Sequence, residues 1–142
     1  MTSPLWIRYG FICSGLINVL GIPIFSKFFT NTYLMGIDPN TFSAISLVTI
    51  ILWGLAYISV AKQVAKVPLI ALVFTIEKFF YAIVWGRWIW RHHTELAEIY
   101  AQDMVTGFFY SVYGLNDFLI GVFFLAAFMH IRSLDNNIQE TM

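Results

Sequence analysis

Four apolar runs, at positions 5–25, 43–61, 67–90 and 105–131, decide what this chain can fold into. Each is about the 17–25 residues that cross a hydrocarbon core about 30 Å thick. Inside such a core every backbone N–H and C=O must find its partner within its own segment, so each run is expected to be a helix. The composition agrees: 59% of the 142 residues are hydrophobic and only 11% are charged, against about 25% charged in soluble domains. The expected fold is all-α. A single polytopic domain over 1–142 carries a four-transmembrane-helix bundle, with interfacial connections at 26–42 and 91–104.

The ends of the runs are punctuated accordingly. Asp38 followed by Pro39 is a start signal ahead of the second run, and Pro68 suits the first turn of the third. Pro23 ends or kinks the first. Only residues 62–66 separate the second and third runs, so those helices are expected to be antiparallel neighbours. The segment 26–42 carries Phe28, Phe29, Tyr33, Leu34 and Met35 and is expected at the membrane interface. Within 91–104, Leu96, Ile99 and Tyr100 alternate with Glu95, Glu98 and Asp103 in the manner of a short interfacial helix. The polar tail after Arg132 is expected to fray.

Against this apolar background Glu77 and Lys78 stand out, near the middle of the third run. A charge at the centre of a spanning helix costs about 2.5–3.5 kcal/mol, whereas each Leu, Ile or Phe returns only about 0.3–0.6 kcal/mol. Such groups face the bundle interior and mark functional sites. At about 100° per residue, Gly10, Phe11, Ser14, Gly15, Asn18 and Gly21 share one side of the first helix. Ser43, Ser46, Ile50, Trp53, Gly54 and Tyr57 share one side of the second. Tyr81 lies between Glu77 and Lys78 on the third, with Phe74 and Trp85. On the fourth, Gly107, Ser111, Gly114 and Gly121 form a stripe with Tyr110 and Asp117 at its edge, while Asn116 falls nearly opposite. Apolar faces thus look to lipid, and small and polar ones look inward to a polar, aromatic-lined core.

Asp117 lies about 18 Å along its helix from Val105, level with Glu77 on the antiparallel third helix. As sequence neighbours, Glu77 and Lys78 diverge. Lys78 is therefore expected to pair with Asp117, leaving Glu77 to Tyr81, Asn18, Tyr57 or water. With all three ionised the core carries one net negative charge, so Glu77 is expected to take a proton or a cationic ligand. Trp53, Tyr57, Tyr81, Trp85 and Tyr110 would line a site for a small apolar or cationic ligand. The competing reading is structural: a buried Lys, Asp, Glu and Asn network fixes helix register at some cost in stability.

Other classes find less support. Eight basic and eight acidic residues cancel, so no nucleic-acid partner is expected. The one cysteine, Cys13, falls on a lipid-facing side. The apolar N-terminal run lacks a basic leader and is read as a retained helix, not a cleaved signal. His92, His93, Glu95 and Glu98 match no strong metal motif and read as interfacial charge. No cofactor is expected. Lysines and arginines number four at one end (Arg8, Lys62, Lys66, Arg132) against three at the other (Lys27, Arg87, Arg91), which places both termini on the cytoplasmic side.

The run Arg8, Gly10, Phe11, Gly15, followed by Lys27, resembles the start of small four-helix bacterial membrane proteins of the DoxX kind. The likeness covers one helix. Neither Glu77 and Lys78 nor Asn116 and Asp117 map onto that pattern, so no residue role is carried over. The leading functional expectation is binding or transport of a small molecule, ion or proton in the core. The alternative is an accessory or assembly subunit, a homo- or hetero-oligomer formed through Gly107, Ser111, Gly114 and Gly121. A membrane enzyme using Glu77 as acid–base on a lipid-like substrate ranks last, because no nucleophile or metal set accompanies that residue.

Overall fold

Each apolar run becomes a helix, two of them opened by a proline and two by a polar cap. The computed structural model describes residues 3–140, with side chains through position 134. In chain order the helices are α1 (Leu5–Phe25), α2 (Thr32–Ile37), α3 (Pro39–Phe42), α4 (Ala44–Val60), α5 (Leu69–His92), α6 (Leu96–Gln102) and α7 (Met104–Glu140). Asn31, Asp38 and Ser43 cap α2, α3 and α4 by accepting from the N–H groups of Leu34, Thr41 and Ser46. Asp103 does the same for α7, through Val105 and Thr106. These caps satisfy donors that a helix start leaves without partners. Among the described residues there is no strand.

Three helical stretches are long and apolar enough to cross a membrane: Leu5–Phe25, Leu69–Gln102 and Met104–Leu134. The fold is therefore that of an all-helical, multi-pass membrane protein. The shorter apolar helix α4 has 17 residues and extends about 25 Å at 1.5 Å per residue. α7 does not fray where the sequence turns polar, since its backbone stays helical to Glu140.

The close approaches are α1 against α4 and α5 against α7, with α6 folded back on α7. Where α1 crosses α4, a Cβ added to Gly15 would stand 2.5 Å from the Gly54 carbonyl oxygen, and one added to Gly54 would stand 2.7 Å from that of Gly15. Only glycine lets two backbones touch in this way. α4 and α5 are sequence neighbours, as the short turn required, but they meet through side chains, with Trp53 and Tyr57 edge-on to Phe74.

The buried side chains gather in two clusters. One, at the end holding the start of α1, includes Ile7, Phe11, Tyr57, Phe74 and Phe124. The other includes Leu34, Phe42, Trp88, Phe109, Tyr110 and Tyr113. The 26–42 connection is only partly superficial: Phe28 is 79% exposed, but Leu34 and Phe42 are each 1% exposed and close the second cluster. The connection begins with a left-handed turn, in which Lys27, Phe28 and Phe29 have φ of 49°, 54° and 65°. Each such residue costs about 1–2 kcal/mol. The turn is held by bonds from Phe28 N–H to Pro23, from Phe29 N–H to the Ser26 hydroxyl and from Asn31 N–H to Ser26. Lys27 is tied in addition to Asp103 at 2.6 Å.

Candidate functional site

Between the two clusters lies a layer of polar side chains drawn from four helices. α5 brings Lys78 in with a side chain 1% exposed, and its ammonium donates to Asp117 Oδ1 on α7 at 2.6 Å. The same ammonium reaches Asn18 Oδ1 on α1 at 3.4 Å and lies 5.6 Å from the centre of the Tyr57 ring. Asn18 is oriented in turn by donating to the Ile50 carbonyl of α4 at 3.3 Å. From α4, the Tyr57 hydroxyl donates to Glu77 Oε2.

Glu77 and Lys78 do diverge at the backbone, but they are not strangers. The flexible lysine stem brings Nζ to within 3.9 Å of Glu77 Oε1, too long for a hydrogen bond though close enough for attraction. Glu77 Oε1 is consequently buried without a hydrogen-bond partner, and so is the Tyr113 hydroxyl. Orphan buried polar atoms are uncommon, and each one asks for an explanation.

Beside these groups runs a cavity of about 170 Å³. Asn18, Glu77, Lys78, Tyr81, Tyr113 and Asp117 form its polar side, while Ile17, Ile22, Phe42, Ile50, Phe109 and Val112 contribute apolar wall. One cation and two carboxyl groups leave a formal charge of −1 at this floor.

Not every aromatic residue singled out from the sequence reaches this space. Trp53 packs on Phe74 in the first cluster. Trp85 lies over Gly114 and donates its indole N–H to the Tyr110 carbonyl at 2.8 Å. The Tyr110 hydroxyl donates to the Leu34 carbonyl at 3.0 Å, fastening the 26–42 connection. Trp85 and Tyr110 serve packing at the end of the bundle that the folded-in connection fills, and Trp53 serves it in the first cluster.

Two polar lining residues lie outside the set expected from the sequence. Tyr113 lies one helical turn before Asp117 on the same face, a signal present in the sequence. Asn116, which the wheel left without a partner, lines the cavity where α7 faces α1.

The small-residue stripe of α7 is filled from within the chain. Tyr100 covers Gly107, Trp85 covers Gly114, and Phe79 covers Gly121. The Ser111 hydroxyl bonds to that of Tyr100 at 3.1 Å. A partner chain docking on the stripe would have to displace those rings.

Beyond the membrane-spanning segments, the hydrogen bond from Lys27 holds the Asp103 carboxyl below the usual carboxylate range, and those from Thr106 and Val105 add to it. His92 pairs with Glu95 at 3.0 Å and stacks on Trp88. Among the described residues no three His, Cys, Asp or Glu side chains are grouped to hold a metal ion, and Cys13 is exposed. Compared with protein-family models, curated proteins and solved structures, the chain matches none, so its function has to be read from the geometry of this polar layer and its cavity.

Proposed function

We propose that the chain is a four-span integral membrane protein that binds a small molecule or cation in this cavity, with Glu77 as the group that engages it. The observation that carries the reading is the buried Glu77 Oε1, which has no hydrogen-bond partner and belongs to a residue lining the cavity. Lys78 and Asp117 form the fixed pair. Asn18 orients the ammonium, Tyr57 holds the far oxygen of Glu77, and Tyr81 forms part of the near wall. A network serving register alone would have no use for the space beside it.

α4 supplies the fourth crossing. Its 17 residues reach the lower limit of about 17–25 for a span, and Ile45, Leu52 and Leu55 present an apolar outer face. Four crossings put both termini on one side, which the balance of basic residues marks as cytoplasmic. Occupation of the α7 stripe by the chain's own rings weighs against the subunit reading, and the Lys78 ammonium, held by Asp117, is not free to act as the nucleophile of an enzyme.

The test is difference infrared spectroscopy on protein in lipid nanodiscs. The carboxyl band of Glu77 should respond to at least one member of a series of organic and inorganic cations added in turn, and Glu77→Gln should abolish the response while preserving the fold. Equal binding by wild type and Glu77→Gln, with no band assignable to Glu77, would sink the proposal.

A further inference from the structure

The cavity has a side opening, and its position points to where a ligand comes from. α1 and α7 touch at both ends. Near the start of α1, Trp6 and Phe11 pack on Phe123 with ring centres 6.0 and 5.9 Å apart. Near its end, Phe25 packs on Phe109 at 5.3 Å and on Phe108 at 6.1 Å. Between these contacts lie Ile17 and Gly21 of α1 and Val112 and Asn116 of α7, all lining the cavity. Ile17 is 47% exposed, and the other three are half-buried. A Cβ built on Gly21 would meet nothing within 4 Å. The gap therefore faces outward at mid-helix depth, toward lipid.

Resting on the proposed function, we infer that the cavity takes a lipophilic ammonium ion, an alkyl- or arylamine admitted from the bilayer between α1 and α7. Charge selects the head. The Lys78 ammonium is committed to Asp117, so the uncompensated negative charge belongs to Glu77, whose Oε1 is an acceptor without a donor. An organic ammonium supplies both the charge and the N–H, and the Tyr113 hydroxyl, also without a partner, is a further acceptor for it. An anion would meet two carboxyl groups. A bare inorganic cation would need about six oxygen ligands, which these largely apolar walls do not offer.

Size selects the body. A cavity of about 150 Å³ holds benzene, so 170 Å³ takes one ring or a short alkyl chain. Anything longer would pass between Ile17 and Val112 into lipid. Asn116, half-buried at the opening, offers an amide oxygen to an ammonium in passage.

The experiment measures binding of benzylamine, benzyl alcohol and toluene to the full chain in nanodiscs, with empty nanodiscs subtracted. Benzylamine should bind about tenfold tighter than benzyl alcohol, the worth of a hydrogen bond to a charged group. Glu77→Gln should erase that preference. Gly21→Leu, whose side chain enters open space, should block all three probes without lowering the unfolding midpoint. Gly86→Leu, also in open space but outside the cavity, should bind as wild type does. Equal affinity for benzylamine and benzyl alcohol would overturn the ammonium assignment and leave the binding cavity standing. Wild-type binding rates in Gly21→Leu would overturn the lateral route. If no probe binds wild type, the cavity reading itself fails, and this inference with it.

Discussion

Replacing Lys78 by methionine strands Asp117, and the cost follows from the geometry. The pair is 2.6 Å apart, with side chains 1% and 12% exposed, and methionine keeps the volume while removing the charge. Interhelical hydrogen bonds in membranes average about 0.6 kcal/mol, so losing only the bond would be a small effect. Breaking a buried ion pair costs about 3–5 kcal/mol, because the remaining charge is left uncompensated. The stranded carboxyl has one escape, which is to bind a proton. At pH 7 that costs about 4 kcal/mol from a reference value near 3.9, at about 1.36 kcal/mol per pH unit. The expected loss for Lys78→Met is therefore about 3–4 kcal/mol at pH 7, falling to about 1.5 kcal/mol at pH 5. Asp117→Asn should cost less, since Lys78 keeps an amide acceptor and has Glu77 Oε1 at 3.9 Å. Combining Lys78→Met with Asp117→Asn should restore at least about 2 kcal/mol of the single loss. The assay is equilibrium unfolding of purified protein in mixed micelles, followed by the fluorescence of its five tryptophans. A double variant no more stable than Lys78→Met, or a single loss near 0.6 kcal/mol that ignores pH, would refute the stranded-charge argument.

The same titration checks three further expectations. Gly15→Ala drives a methyl group to within 2.5 Å of the Gly54 carbonyl oxygen and should cost about 1–3 kcal/mol. Gly86→Ala, in open space, should instead gain up to about 1 kcal/mol from helix propensity, and equal effects at the two sites would contradict the backbone contact. Tyr57→Phe removes the donor to Glu77 Oε2 and should cost about 1–3 kcal/mol; a neutral result would mean that this oxygen finds another donor. Asp103→Ala loses the α7 cap and the tie to Lys27, at about 1–2 kcal/mol. The folded state holds the Asp103 carboxyl below its ordinary value of 3.8, so its contribution is complete above about pH 4 and lost as pH falls through the lower folded value. The gap between wild type and Asp103→Ala should be constant from neutral to mildly acidic pH and close only in strong acid.

What could be read from the sequence is what a single helix carries in its own periodicity. Glu77, Lys78, Asp117 and Asn18 were legible because a polar group in an apolar run has one direction to face, and antiparallel depth brought them level. The 26–42 connection was legible only as aromatic and loop-like. Nothing local says that Leu34 and Phe42 turn inward, or that this uses up Trp85 and Tyr110 as packing partners. That outcome depends on how much room the ends of four helices leave, which is a property of the assembled bundle. Lys78 also shows a limit of the wheel, since a wheel gives Cβ directions while a four-carbon stem bends back toward its neighbour.

The glycines show that one sequence signature covers two different surroundings. An inward glycine is a natural site of close approach, and most of those here are: Gly15 and Gly54 admit each other's backbones, while Gly107, Gly114 and Gly121 admit aromatic rings. Gly21 lies on the same side of α1 as Gly15 and Asn18, with the same sequence signature, yet no neighbour fills it. A small residue signals only that something approaches closely or that something must be let through. The residues opposite decide between the two, and here they are Val112 and Asn116. That pairing also accounts for Asn116, which falls nearly opposite the glycine stripe of α7. On the side of α7 that faces α1 a polar side chain borders the cavity, and an amide beside an unfilled glycine is what a lateral passage for a polar head would require.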